Sequence, residues 1–332
     1  MTAQVRILPS GHEFESEGHA SLLEAGLSAG LRLSYGCSNG NCGKCLAKVV
    51  SGEVEKTRHH DFRIGEANKL NGHILMCSNT ALTDVVLEAQ EASSASEIPQ
   101  QQITARVKNV SIANHNVALV HLRTPRTNRL RFLAGQHVEL GGNGKPGAIH
   151  TVASCPCDDM HLHFQIPMNA ADNFSNHVFR TLKTGDSLDI RGPNGDFILD
   201  EDSPRSLVFI AGRTGFAPVR SLIEHAMALE VAKAIHLLWI AESKKDRYLD
   251  NLCRSWADAL DDFYYIPVDA RPRTTETDIR SGFGQLDIKQ HCLLEHDFYI
   301  AGNQSLLDES REILHESGVP SQRLKLDSLL HN

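Results

Sequence analysis

The chain has 332 residues, of which 41% are hydrophobic and 22% charged, and its mean hydropathy is −0.26. A single core stops growing at about 250 residues, so two or three domains are expected and a disordered, collagen-like or coiled-coil chain is excluded. Thirty-three Lys and Arg against 41 Asp and Glu leave a net charge of −8, which argues against a nucleic-acid partner or an anionic membrane surface. No run of 18 apolar residues occurs, and the opening MTAQVRILPSGHEF lacks a secretory pattern, so a cytoplasmic protein is expected.

Val5 and Ile7 alternate as in a strand, and Ser21-Leu-Leu-Glu24 opens a helix whose cap satisfies its first amides. Leu46 to Val50 and Asp84 to Glu88 read as further short strands. The small, polar stretch from Glu91 to Gln102 has no periodicity, which is how a linker reads. The first domain therefore covers residues 1–92 and the linker 93–101. Residues 102–203 carry short alternating runs (Ile103 to Ile112, Val117 to Leu122, Ser187 to Ile190) broken by glycines, which predicts an antiparallel barrel. Over residues 204–332, strands at 207–211, 235–241, 264–268 and 298–301 alternate with helices at 219–229 and 306–316. That rhythm implies a doubly wound parallel sheet, so the whole is a multidomain α+β and α/β chain.

Eight cysteines are too few for a disulfide scaffold, and clustered thiols in a reducing compartment point to metal or redox chemistry. Cys37, Cys42 and Cys45 share one loop with four and then two residues between them, and Cys77 follows. The spacing matches that of plant-type 2Fe–2S proteins. Such a loop turns several thiolates inward while its amides face the sulfides, and Gly36, Gly40 and Gly43 supply the backbone angles and close approach. Structural zinc is the alternative, although zinc usually takes two close pairs. On the run Tyr-Gly-Cys-x4-Cys-Gly-Lys-Cys, residues 1 to about 90 resemble a β-grasp ferredoxin domain. The resemblance implies Cys37, Cys42, Cys45 and Cys77 as cluster ligands.

Leu207 to Pro218 is a strand, a glycine turn and a helix start, with Pro218 in the first helical turn, where no amide partner is lost. A pyrophosphate would sit on the free amides there, with Gly212 and Gly215 allowing approach. The run resembles the Gly-Gly-Thr-Gly-x-x-Pro motif of ferredoxin–NADP reductase-type proteins, which implies Gly212, Thr214, Gly215 and Pro218 as nucleotide-binding residues, with Arg213 at the second glycine. Glu242-Ser-Lys-Lys245 offers both an acid for the ribose of NADH and a cation for the extra phosphate of NADPH, so either donor fits. Tyr299 to Leu306 resembles the family's Tyr-x-Cys-Gly-Pro segment with Ala301 replacing the cysteine, and Leu329 stands where an aromatic residue is common.

Gly135-Gln-His-Val138, Phe174-Ser-Asn176 and Gly192 to Phe197 resemble landmarks of the same family's FAD domain. The family's Arg-x-Tyr-Ser/Thr signature is Ala148-Ile-His-Thr151 here, so only Thr151 keeps its type. The resemblance implies Thr151 as the residue that tunes the flavin, His150 as a stacking residue, and Ser175 and Asn176 near the pyrophosphate. The lost arginine contact weakens FAD binding by roughly 1.5 to 3 kcal/mol unless Arg123, Arg126, Arg129 or Arg131 compensates. An ordinary solvated loop is the other reading of those arginines.

The whole chain resembles three-part reductases of the CDP-6-deoxy-glucoseen reductase and oxygenase-reductase-component type. The implied path runs from NADH or NADPH through FAD to a 2Fe–2S cluster and then to a protein acceptor, an oxygenase or dehydratase component. Nicotinamide gives up two electrons at once and a 2Fe–2S cluster accepts one, so a two-step carrier such as flavin must stand between them. The five departures at Ala148, His150, Arg213, Ala301 and Leu329 leave a second reading, a ferredoxin-type relay or assembly protein with a degenerate reductase half. A free flavin reductase is a third. Cys155-Pro-Cys157 with His161 and His163 forms a possible metal set but fits ordinary barrel strands equally. His59-His60 reads as an exposed pair, and Cys253 and Cys292 as small buried side chains.

Overall fold

The computed structural model describes residues 2–18, 20–92, 94–142, 145–269, 282, 284 and 290–328, with the side chains of 145, 146 and 290–292 not among them. Leu329 and the Cys292 side chain therefore lie outside the described residues. Among the described residues no helix is long and apolar enough to cross a membrane.

The N-terminal sheet contains β1 (Thr2–Leu8), β2 (Glu13–Glu17), β3 (Leu46–Ser51), β5 (His73–Leu75) and β7 (Val85–Glu88) in the order β2-β1-β7-β3-β5, with β1 and β7 parallel. A small ladder pairs β4 (Val54–Lys56) with β6 (Asn79–Ala81). In β1 the odd positions Ala3, Val5 and Ile7 are buried while Thr2, Gln4 and Arg6 are exposed, the period-2 pattern of a half-solvated sheet. Helix α1 (Leu22–Ser28) buries Leu22, Leu23 and Leu27 in that core. Ser21 caps it by accepting from the Glu24 amide at 3.2 Å, as the sequence predicts. A short α2 spans Glu66–Leu70.

The segment that reads as a linker is tied down. Ala92 N–H donates to Arg32 O, and Ala92, Ile98 and Leu133 pack as a small apolar cluster. Two apolar side chains in a polar run carry no periodic signal, which is why the sequence hides this contact.

The second unit is a six-stranded antiparallel sheet, β11-β10-β13-β8-β9-β12, curled into a half-barrel. Its strands are β8 (Gln101–Asn114), β9 (Val117–Arg123), β10 (His137–Gly142), β11 (Lys145–Thr151), β12 (His161–Pro167) and β13 (Ser187–Asn194). The sequence pattern does not reveal α3 (Asn173–Arg180), which packs Phe174 and Val178 into the half-barrel core.

The third unit is a parallel sheet, β16-β15-β14-β17-β18, formed by β14 (Ser206–Gly212), β15 (Ile235–Ala241), β16 (Phe263–Asp269), β17 (His296–Ala301) and β18 (Leu324–Asp327). Helices α4 (Phe216–Leu229), α5 (Asp250–Ala259) and α6 (Gln304–Glu316) accompany it. β15 is buried along its whole length, the continuous apolar run expected of a central parallel strand. Strand order reverses at β14, which pairs with β15 on one side and β17 on the other, so the crevice at their carboxyl ends is the topological switch point.

His236 on β15 is buried and stacked on Tyr264 at 4.8 Å. Burial, reinforced by nearby His296, pushes its imidazole down to about 4. The unfolded chain protonates this group near its ordinary value, so below about pH 6.5 the unfolded state binds the extra proton and stability falls as pH falls. His236 alone is expected to cost about 3 kcal/mol by pH 4. Urea midpoints followed by tryptophan fluorescence should drop between pH 7 and 4.5, and His236→Gln should flatten that drop. An equal drop in the variant would remove His236 as a cause.

Candidate functional site

The Cys37 loop is built as close sulfur pairs. Cys37 Sγ and Cys42 Sγ lie 3.2 Å apart, and Cys45 is hydrogen-bonded to Cys77. Cys37, Cys45 and Cys77 are buried, whereas Cys42 is partly exposed. Burial raises the Cys37 thiol, but the Asn39 amide, the Cys42 thiol and the Cys42 and Asn41 amides outweigh it and hold the group below its ordinary value, while burial raises Cys42. Cys77 is likewise held low, first by Cys45 and then by Ser78 and the Gly40 amide, while Cys45 is pushed up. Amides that lower thiol pKa values favour thiolates, the form that binds iron. A two-iron cluster takes four thiolates, two per iron, so two close pairs fit that donor set.

Gly40 and Gly43 have φ of +80° and +75°. A Cβ on Gly43 would sit 2.3 Å from the Phe62 ring, and one on Gly40 would sit 2.5 Å from His60 Cβ. Gly36 has no positive φ; its constraint is Lys44, whose Cδ would lie 2.9 Å from a Cβ at that position. His59 is exposed as expected, but His60 is half-buried over the loop and its Nδ1 meets Phe62 O at 2.9 Å.

Residues 126–131 of the half-barrel clasp this loop. Arg126 O accepts from Ser38 N–H at 3.0 Å, and Gly36 O accepts from Arg129 N–H at 3.2 Å. Arg131 donates through Nη2 to Arg32 O at 3.1 Å. The Arg129 guanidinium lies 5.8 Å from the Tyr35 ring centroid and pairs with Asp159. Arg129 and Arg131 are only 5% and 8% exposed. They form neither a solvated loop nor a visible phosphate site: they bind the half-barrel to the cluster loop. Periodicity gives no hint of this, because the partners are about 90 residues apart in the chain.

At the expected flavin position, Thr151 is 3% exposed and its Oγ1 is buried without a hydrogen-bond partner. An orphaned hydroxyl at the end of β11 is what a bound ring would satisfy. His150 packs against Phe174 with ring centroids 5.5 Å apart. Ser175 Oγ accepts from Asn169 N–H and donates to Pro167 O, both at 2.9 Å. Asn176 Nδ2 donates to Ala170 O and Asp172 O. Asp172 accepts from the Phe174 and Ser175 amides, capping α3 with its own carboxylate. A pyrophosphate at that helix end would have to displace a like charge. The Asp-x-x-Ser signal for this cap is local and readable in the sequence.

The nucleotide crevice contrasts with α3. The α4 N-terminus follows Gly215 and has no side-chain cap; a tight turn over Arg213–Gly215 leads straight into it, and the Phe216 amide donates back to Arg213 O. A Cβ on Gly215 would sit 2.1 Å from Ala301 O, and one on Gly302 would sit 3.4 Å from Gly212 Cα. The two loops thus touch backbone to backbone, which only glycine permits, and Pro218 lies in the first turn of α4. Arg213 takes φ of +51° where the resembling motif has glycine, a left-handed angle that costs a non-glycine residue about 1 kcal/mol. Its carbonyl accepts from Trp239 Nε1 at 3.1 Å, and Trp239 stacks on Phe216 at 3.9 Å.

The Arg213 guanidinium is paired with Glu242 just beyond β15 rather than free for a phosphate, while Lys244 and Lys245 stay exposed. Glu242→Gln removes a carboxylate that repels a ribose phosphate and frees Arg213. The ratio of kcat/KM for NADPH over NADH should rise two- to fivefold, roughly the worth of an exposed pair. An unchanged ratio would place Glu242 outside the ribose site.

Three family models match the chain: the 2Fe–2S iron–sulfur cluster binding domain over residues 5–81, the oxidoreductase FAD-binding domain over 104–198 and the oxidoreductase NAD-binding domain over 209–312. The CDP-6-deoxy-L-threo-D-glycero-4-hexulose-3-dehydrase reductase of Yersinia pseudotuberculosis is 27% identical, covering 99% of each chain. Terephthalate 1,2-dioxygenase reductase component 1 of Comamonas sp. is 26% identical, covering 98% of this chain and 97% of its own. A crystal structure of an Amycolatopsis cytochrome P450 reductase superposes with a TM-score of 0.61 at 22% identity, covering 98% of both chains. With its cysteine loop, half-barrel and glycine crevice in one continuous order, the chain belongs to the FAD- and NAD(P)H-dependent flavoprotein reductases with a fused N-terminal 2Fe–2S ferredoxin domain, relatives of dioxygenase and dehydratase reductase components.

Proposed function

We propose that this reductase passes single electrons to an oxygenase or dehydratase component in the cytoplasm. The supporting observation is the clasp between residues 126–131 and the Cys37 loop, which seats the one-electron end of the molecule directly on the flavin-binding half-barrel. Bound FAD supplies the conversion of a two-electron hydride from NAD(P)H into single electrons that a 2Fe–2S cluster can accept. Cys37, Cys42, Cys45 and Cys77 hold the cluster. Gly212, Thr214, Gly215 and Pro218 would shape the turn that receives the dinucleotide, and the unpaired Thr151 hydroxyl would donate to the flavin ring. His150 would flank that ring, while Ser175 and Asn176 brace the loop before α3. Domain limits follow as residues 1–92, 102–203 and 204–332. Because nicotinamide and ring must meet at contact distance, these residues act by positioning rather than by acid–base work.

The visible spectrum of anaerobically purified protein, with denaturing release of flavin and addition of NADH and then NADPH, tests the proposal. Flavin and cluster bands that bleach with one nucleotide are expected. A cluster spectrum that no nucleotide bleaches after FAD addition, although dithionite does, would make the protein a relay. Thr151→Ala should slow nucleotide-dependent dye reduction about tenfold, one hydrogen bond's worth. Reduction at the parent rate would remove Thr151 from the site.

A further inference from the structure

Two thiols and an imidazole converge where the half-barrel meets the nucleotide unit. Cys155 and Cys157 flank Pro156 in the turn after β11, and His225 comes from α4. Their ligand atoms all lie within 4.8 Å of one another. The histidines beside these cysteines in the sequence are not the partners. His161 turns to Asp158 at 2.8 Å, and the third ligand is supplied from another unit.

His225 is 2% exposed, and Cys155 9%. Cys155 Sγ lies 3.7 Å from His225 Nδ1. On the other side of the ring, His225 Nε2 meets Glu201 at 2.8 Å. Arg32 holds the same Glu201 carboxylate at 2.7 Å. A carboxylate on one ring nitrogen fixes the tautomer and directs the lone pair of the other toward the sulfurs, the outer partner that metal-bound histidines usually have. The Cys157 amide donates to Cys155 Sγ at 3.2 Å. Thiolate and imidazole together suit zinc, which accepts three protein ligands and a water.

In this structure the two sulfurs are joined as a disulfide. We propose that the reduced Cys155-Pro156-Cys157 turn and His225 form a Cys2His zinc site that fastens the half-barrel to α4. A dithiol reductant supplies two electrons and two protons to open the disulfide and is itself oxidised to its cyclic disulfide. Zinc then displaces the two thiol protons to solvent.

The test uses anaerobically purified holoprotein, reduced with dithiothreitol, incubated with zinc chloride and desalted. Elemental analysis should find one zinc per chain with iron unchanged. X-ray absorption at the zinc edge should show two sulfurs at about 2.3 Å and a nitrogen at about 2.0 Å, distances distinct from the iron signal. Cys157→Ser and His225→Gln should each lower zinc retention at least tenfold. Because His225 also holds Glu201, Cys157→Ser separates ligation from a packing defect. No retained zinc, retention equal to the parent in a Cys155→Ser/Cys157→Ser variant, or zinc gained in proportion to iron lost would each overturn the proposal, the last by placing the metal in the Cys37 loop.

Discussion

Replacing Cys77 with serine is expected to abolish cluster-dependent electron delivery while sparing the nucleotide and flavin half. Cys77 is buried, lies outside the Cys37 loop, and is the thiol that Cys45, Ser78 and the Gly40 amide jointly hold toward its charged form. A serine hydroxyl gives up its proton far less readily than a thiol near neutral pH, so one iron loses its thiolate ligand. Loss of a partner one shell further out typically costs about 10- to 100-fold, so loss of a direct ligand should lower cytochrome c reduction by more than about 100-fold. Iron content should fall in parallel. Reduction of a two-electron dye by NAD(P)H should stay within about twofold of the parent, because the half-barrel and the glycine crevice lie in separate sheets. Retained iron with unimpaired cytochrome c reduction would show that Cys77 is not a ligand.

The contrast between these two halves reflects what a sequence can express. The cluster loop is local: nine residues carry three thiols and the glycines whose positive φ the turn requires, so type and spacing specify the site together. The crevice at the switch point is nearly as legible, because strand, glycine turn and Pro218 are consecutive. The relation between the units is not. Arg32, Glu201 and His225 form one buried junction from three distant segments, with Arg32 2.7 Å from Glu201 and His225 2.8 Å from it, and no periodicity marks any of them. Chain proximity pairs Cys155 and Cys157 with His161 and His163, whereas the fold supplies His225. The substituted flavin signature is legible only as a loss. The Asp172 cap has its own local signal, but the His150–Phe174 contact depends on where α3 packs, and α3 has too short an apolar pattern to announce itself.

Arg129→Ala should produce the largest stability loss outside the cluster loop. The Arg129 and Asp159 side chains are 6% and 0% exposed and pair with each other, so truncating one leaves an uncompensated buried charge. Such losses run to about 3–5 kcal/mol. Burial already lowers the arginine pKa, with Tyr35 and nearby acids opposing it. The same substitution removes the guanidinium that lies over Tyr35, two residues before Cys37. Two effects are therefore coupled, and a double variant separates them. Arg129→Met with Asp159→Leu removes both charges and keeps apolar volume, so stability by urea denaturation should recover most of the loss, as buried pairs replaced by apolar residues often do. Transfer from flavin to cluster in rapid-mixing experiments should remain slower than in the parent, because the cation over Tyr35 is still missing. A double variant that regains both stability and the parent transfer rate would assign Arg129 to the half-barrel core alone. A single variant within about 1 kcal/mol of the parent would show that water reaches Asp159 and that the pair is not sealed.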